Sequence, residues 1–163
     1  QLICEMLKEH KVPYIAVDRA SNVVSDARDA GEPVYFGDVR ELGLLRKCGL
    51  DTAKAAIITI HTKKETDEIV QTIRAAYPDL VIVARAKDAA HARSLYKLGV
   101  TDAVPETIEA SLQLSEAALV ELGVPTGYVI ASIHEKRDTF RTELQGAAKK
   151  AGTQTRAFPR RSG

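Results

Sequence analysis

The feature that most constrains this chain is an alternation. Short apolar runs, "VPYIAVD", "PVYFGD", "KAAIITI", "LVIVARA" and "DAVPE", are separated by segments with a helical repeat, and the connections between them are short. Strand, helix, strand, helix in that rhythm marks β-α-β units, whose strands run parallel. The runs "IAV", "AIITI" and "LVIVA" are apolar without a polar residue every second position, as in strands buried on both faces. The sequence therefore predicts an α/β fold with a doubly wound, Rossmann-like parallel sheet. Sheets of that kind bind ligands outside the carboxyl ends of their strands, where strand order reverses.

The spacing predicts helices over 2–10, 20–31, 40–49, 63–78 and 88–99, and strands over 12–18, 33–38, 54–60, 80–86 and 102–106. Gly31, Gly49 and Gly99 stand at helix ends, and Pro78 closes another. After Glu106 the rhythm changes. Residues 107–124 read as one long helix striped by Ile108, Leu112, Leu119 and Leu122, and 127–144 as a second. Two helices added to a covered sheet need another surface to bury against; a partner chain is the simplest candidate, and their own domain the alternative. The expected organisation is a truncated Rossmann-like domain over 1–105, crossover and peripheral helices over 106–144, and a disordered basic tail over 145–163.

Bulk properties exclude several function classes. The chain has 163 residues, with 23 Lys and Arg against 22 Asp and Glu, for a net charge of +1. That balance leaves no electrostatic footprint for nucleic acid or an anionic membrane. No run reaches the roughly 18 apolar residues of a membrane helix, and no signal peptide is visible. Cys4 and Cys48 lie inside apolar helical patterns without partners at metal-ligand spacing, and read as buried thiols in a reducing compartment. His10, His61, His91 and His134 are scattered, so no metal site is assigned. No Ser-His-Asp or Cys-His constellation appears, and an enzyme is not expected. The chain begins without Met and in mid-helix, and reads as an excised fragment.

The strand ends carry the functional signal. Asp18 ends the first run, Gly37-Asp38 the second, His61-Thr62 the third, and Arg85 lies at the end of the fourth. In a dinucleotide-binding fold an acid about 20 residues past a Gly-rich loop accepts from ribose hydroxyls. Asp18 fits that role, with the loop expected just before the first helix. The alternative is that Asp18 caps the next helix. Arg19 would tolerate a 2′-phosphate or stack near an adenine. Asp38, with backbone access through Gly37, is placed to accept from an adenine amino group, or to cap the helix beginning near Arg40. Arg85 would clamp a phosphate or carboxylate, or else form a salt bridge to Asp88 or Asp102.

The segments "YIAVD", "GEPVYFGDVRELGLLRKCGLDTAKAAIITI" and "PDLVIVARAKDAAHARSLYKLGVTDAVPETIEASLQL" resemble the cytosolic RCK domain, also called KTN or TrkA-N, of Kef-type potassium/proton antiporters in the monovalent cation:proton antiporter-2 family. The resemblance covers about residues 1–144. It implies a Rossmann fold that binds NAD(H) or AMP as a regulatory ligand. It implies a homodimer through the helix over 106–122, and control of ion movement by a membrane transport domain in the same protein. The location implied is the cytoplasmic side of the bacterial inner membrane. By position, Asp18 looks like the ribose-binding acid, Asp38 like the adenine-side residue, and Arg85 like an arginine of the ligand-binding region. The chain departs from the pattern at its start, where the first strand and Gly-x-Gly-x-x-Gly turn would precede Gln1. Some Kef systems respond to glutathione, but no feature here commits the chain to that ligand. An RCK subunit of a potassium channel or Trk-type system is the alternative reading. A soluble NAD(P)-dependent oxidoreductase would need a substrate domain for which too few residues follow the long helix.

Overall fold

A computed structural model describes residues 2–150, apart from the side chains of 149 and 150. The chain forms two compact units, residues 1–53 and 54 onward. All strand pairings in both are parallel.

The first unit contains α1 (Leu2–Glu9), β1 (Ala16–Asp18), α2 (Ser21–Asp29), β2 (Val34–Phe36), α3 (Leu42–Lys47) and a 3₁₀ turn (Leu50–Thr52). β1 and β2 form a two-stranded sheet with Ala16 opposite Val34 and Asp18 opposite Phe36. Its buried apolar side chains are Val24, Val34 and Leu50, while Ile15, Tyr35 and Phe36 are about half exposed. Burial on both faces, expected for the runs that hold β1 and the third and fourth strands, is not found. The latter two, over Ala55–Ile58 and Val81–Ala86, each leave residues open, and none of the β1 residues is fully buried. Three-residue strands and a single buried residue on α2 cover too little surface. Polar contacts tie the unit's far side instead. Lys8 Nζ lies 2.7 Å from Glu32 Oε1, and Tyr14 Oη donates to the other Glu32 oxygen. The Lys8 contact first, then the Tyr14 bond, hold the Glu32 carboxyl below its usual range, and the same bond pushes the Tyr14 phenol upward. Cys4 and Cys48 are free and half-buried, not buried as their patterns suggested.

The second unit contains β3 (Ala55–Ile58), α4 (Lys63–Ala76), β4 (Val81–Ala86), α5 (Ala89–Leu98), β5 (Asp102–Pro105), α6 (Glu106–Glu121) and α7 (Thr126–Lys150). The sheet order is β3-β4-β5. β4 alternates, with Ile82, Ala84 and Ala86 buried and Val81, Val83 and Arg85 partly open. One face of this strand is therefore fully covered, and α4 and α5 pack on it with Ile69, Val70, Ile73, Ala92 and Leu95. α5 starts where Asp88 accepts from His91 N at 2.8 Å, a standard side-chain cap. It stops at Gly99, whose φ of 96° suits a residue without a Cβ. Arg74 then donates to the Gly99, Tyr77 and Pro78 carbonyls, satisfying acceptors left open at two helix ends.

α6 and α7 answer the question of what the added helices bury against. They form a hairpin around Leu112, Val129 and Ile133, flanked by Ile108, Leu119 and Val124. α7 also packs along α5, where Leu144 and Ala148 are buried. Ion pairs add to this packing, with Arg137 of α7 on Glu109 of α6 at 2.9 Å and Arg141 of α7 on Asp102 of β5 at 3.0 Å. Own-domain packing therefore accounts for three of the four striped residues. The fourth, Leu122, is 80% exposed. α7 runs to Lys150 where the pattern ended it at Leu144, so residues 145–150 are helix, not tail. The remaining tail, 151–163, lies outside the described residues.

Candidate functional site

In the first unit, two candidate carboxylates come together because parallel neighbours end side by side. Asp18 is the last residue of β1, and Gly37 N donates to its carbonyl at 3.0 Å, which draws Gly37 and Asp38 alongside it. Asp18 Oδ1 accepts from Ala20 N at 2.8 Å. This holds the turn from β1 into α2, but the N-cap position itself is Ala20, with no side-chain bond. A carboxylate has room for about four donors, so Asp18 retains acceptor capacity. Arg19 is exposed, and its positive charge helps hold the Asp38 carboxyl down.

Gly37 leaves room for a neighbour within its own unit, since a Cβ there would run into a methyl group of Leu44. Asp38 does not cap α3, which starts at Leu42 behind Glu41. Instead its Oδ1 accepts from Arg40 N at 3.0 Å, and the Arg40 guanidinium grips both carboxylate oxygens through Nε at 2.9 and 3.0 Å. Those bonds hold the Asp38 carboxyl down at about 2. A ligand donor would reach the Asp38 carboxylate only with Arg40 turned away, whereas Asp18 carries the bond from Ala20 N. The Asp38–Arg40 pair was visible as an i, i+2 spacing in "GDVR", and the helical pattern read across it hid it.

In the second unit, Arg85 sits at the carboxyl edge of β4 with its side chain 29% exposed. It meets neither Asp88 nor Asp102. Its Nη1 lies 3.1 Å from Glu106 Oε1 and 3.0 Å from the His61 ring nitrogens. Asp88 is occupied by capping α5. Asp102 accepts from Tyr96 Oη at 2.7 Å and pairs with Arg141. Glu106 was not singled out, because the pattern places it at the end of the fifth strand run, whereas it opens α6. Its signal is its position directly after β5, level with the end of β4 that carries Arg85. A second pair, His91 with Asp67, is internal. Lys87 N donates to His91 Nδ1 at 3.0 Å, which places the ring proton on Nε2, 3.0 Å from Asp67 Oδ1. This bond fixes the β4–α5 turn to α4 from a ring only 2% exposed. Among the described residues no cluster of His, Cys, Asp and Glu is suited to a metal ion, and no helix is long and apolar enough to cross a membrane.

Parallel strands with helical crossovers and polar residues at their carboxyl ends define a Rossmann-like α/β domain. Residues 1–106 match the TrkA-N domain, and the chain belongs to that family. It is 35% identical over 153 residues to K(+) efflux antiporter 2, chloroplastic, of Arabidopsis thaliana, a match spanning 94% of this chain and 13% of that protein. It is 30% identical over 158 residues to the putative K(+) efflux antiporter KefB of Alkalimonas amylolytica, spanning 94% of this chain and 24% of that one. The chain thus spans a quarter or less of the length of these relatives. Among solved structures, the TrkA-N domain of inner membrane protein YbaL from Escherichia coli matches at 26% identity and TM-score 0.66, over 71% of this chain and 86% of that one. The Shewanella denitrificans Kef CTD in AMP-bound form matches at 26% identity and TM-score 0.65, over 83% and 97%.

Proposed function

We propose that this chain is the regulatory, nucleotide-binding part of a Kef-type potassium/proton antiporter. It acts on a transport domain in the same protein, at the cytoplasmic side of the bacterial inner membrane. It is a ligand-controlled module, not an enzyme. The observation that carries this reading is the meeting of Asp18 with Gly37 and Asp38 at the carboxyl ends of two parallel strands. Asp18 accepts from the ribose hydroxyls of an adenine nucleotide. Gly37, whose N–H bonds the Asp18 carbonyl, sets Asp38 beside Asp18. Asp38 takes the adenine amino group once Arg40 swings off it, and Arg19 stacks at the rim. AMP and NAD(H) share the adenosine these residues would hold. A relative solved in AMP-bound form supports AMP as the first ligand to try.

Regulation requires the nucleotide to bind two arrangements of the protein with different affinity. We place the second arrangement in a homodimer formed through α6, because Leu114, Leu122 and Tyr128 are more than 70% exposed around the hairpin. Leu114→Glu combined with Leu122→Glu should convert dimer to monomer in sedimentation velocity. A wild-type protein that is monomeric at micromolar concentration would remove the dimer from the scheme.

The test of the ligand is a thermal-shift titration of the full-length protein with AMP, NADH, NAD, ATP and glutathione. A ligand that binds only the folded state at 100 times its Kd stabilises it by about 2.7 kcal/mol. AMP or NADH should raise the melting temperature with concentration, and Asp18→Ala should abolish the rise. A rise with glutathione alone would replace the nucleotide by a peptide thiol.

A further inference from the structure

The carboxyl edge of the three-stranded sheet holds a charge cluster assembled at the ends of its three strands. His61 follows β3, Arg85 lies within β4, and Glu106 opens α6 directly after β5. Arg85 Nη1 is 3.1 Å from Glu106 Oε1 and 3.0 Å from the His61 ring, while His61 Nδ1 is 3.8 Å from the same Glu106 oxygen. The Arg85 guanidinium is therefore already neutralised by a carboxylate.

We propose that Glu106 is a built-in competitor for Arg85, so that Arg85 takes the phosphate group of a ligand only as Glu106 leaves it. This rests on the reading of Arg85 as a ligand-side residue. The asymmetry of the pair supports it. Arg85 is carried on a paired strand between two buried alanines, and its side chain is mostly covered. Glu106 is 46% exposed on the first turn of a helix, where rotation about its side-chain torsions alone takes the carboxylate into water. An ion pair this open contributes little to stability. A phosphate presents more oxygens and more charge to the planar guanidinium than one carboxylate does. His61, 80% exposed, accepts from Arg85 in its neutral form and gives way as easily.

A consequence follows for α6. Glu106 is the first residue of that helix, so its pair with Arg85 ties the start of α6 to the edge of β4. Phosphate at Arg85 releases that tie.

The experiment is a titration of the full-length protein with inorganic phosphate, read at the Arg85 Nε–Hε signal by NMR. Replacing Glu106 by Gln should tighten phosphate binding by roughly 3- to 10-fold, the scale of one screened charge lost at hydrogen-bond distance. Glu106→Asp keeps the negative charge favoured at a helix start but falls a methylene short of Arg85, and should move affinity the same way. Arg85→Gln should abolish the response. Equal phosphate affinity in wild type and both Glu106 variants overturns the proposal. So does a response that survives Arg85→Gln, or no response in any variant. Repeating the titration with AMP identifies the source of the phosphate. The same variant-to-wild-type ratio means the site takes a nucleotide's phosphate, and a ratio seen with inorganic phosphate alone means it serves the free anion. Failure here is distinct from failure of the nucleotide reading, which is decided by the melting temperature with AMP.

Discussion

The two sheets of this protein are built from similar apolar runs and end up in different states. β4 is shielded on one whole face, with Ile82 at 0% exposure and Ala84 at 1%. β1 has no fully buried residue, and its neighbours Ile15 and Phe36 are half or more exposed. The difference is length and cover. β4 has six residues and two helices of 14 and 10 residues packed on it, whereas β1 has three residues. The polar groups proposed to meet adenosine all sit on the thinly covered sheet. Ligand-binding elements are commonly drawn from the less stable parts of a protein, where a ligand's own contacts complete the packing.

The widest gap between the units should appear on truncating their apolar side chains. Ile82→Ala removes fully buried methyl groups and should cost about 3 kcal/mol in urea unfolding. Ile15→Ala, at a half-exposed position, should stay within about 1 kcal/mol. Similar costs at both sites would break the comparison. Next in size is Tyr96→Phe. The Tyr96 hydroxyl is 0% exposed, donates to Asp102 and accepts from Ala103 N at 3.1 Å. Burial first, and then the Asp102 bond, push its phenol well above the usual tyrosine range. Losing the hydroxyl strands a buried N–H and should cost about 1–3 kcal/mol. A neutral result would mean that water replaces it.

A smaller effect, confined to the first unit, concerns acid. Arg40 holds the Asp38 carboxyl at about 2, below the ordinary 3.8. A depressed carboxyl contributes stability above its ordinary value and loses it as pH falls through the folded one. Asp38 should therefore stay charged from neutral pH to below pH 3, and its contribution should fade between about pH 4 and 2. A carboxyl NMR titration should show a midpoint near 2, and Arg40→Ala should return it toward about 3.9. A wild-type midpoint at the ordinary value would show that Arg40 does not hold Asp38, leaving it open to ligand without rearrangement.

Much of this architecture was legible because helix and strand periods differ and because glycines mark ends. Gly99 closes α5 and Gly31 follows α2 as read. The burial of the strands was not legible. An apolar run shows that a strand can be covered, not that anything covers it, and "YIAVD" and "LVIVARA" look alike until their helices are placed. Asp18, Gly37 and Asp38 were found from their position at strand ends, since parallel pairing brings such ends together whatever their distance in sequence. The partners of Asp38 and Arg85 were not found. Arg40 falls inside the helical pattern, and Glu106 meets Arg85 only through the parallel register of β4 and β5, which pairs Ala86 with Pro105.

The central claim is that an adenine nucleotide binds at the ends of β1 and β2. The most direct test is an amide NMR titration of the full-length protein with AMP. The largest saturable shifts should fall at Arg19, Ala20, Gly37 and Asp38, and Asp18→Ala should abolish them. No saturable shift, or shifts at other positions that leave these four unmoved, would contradict it.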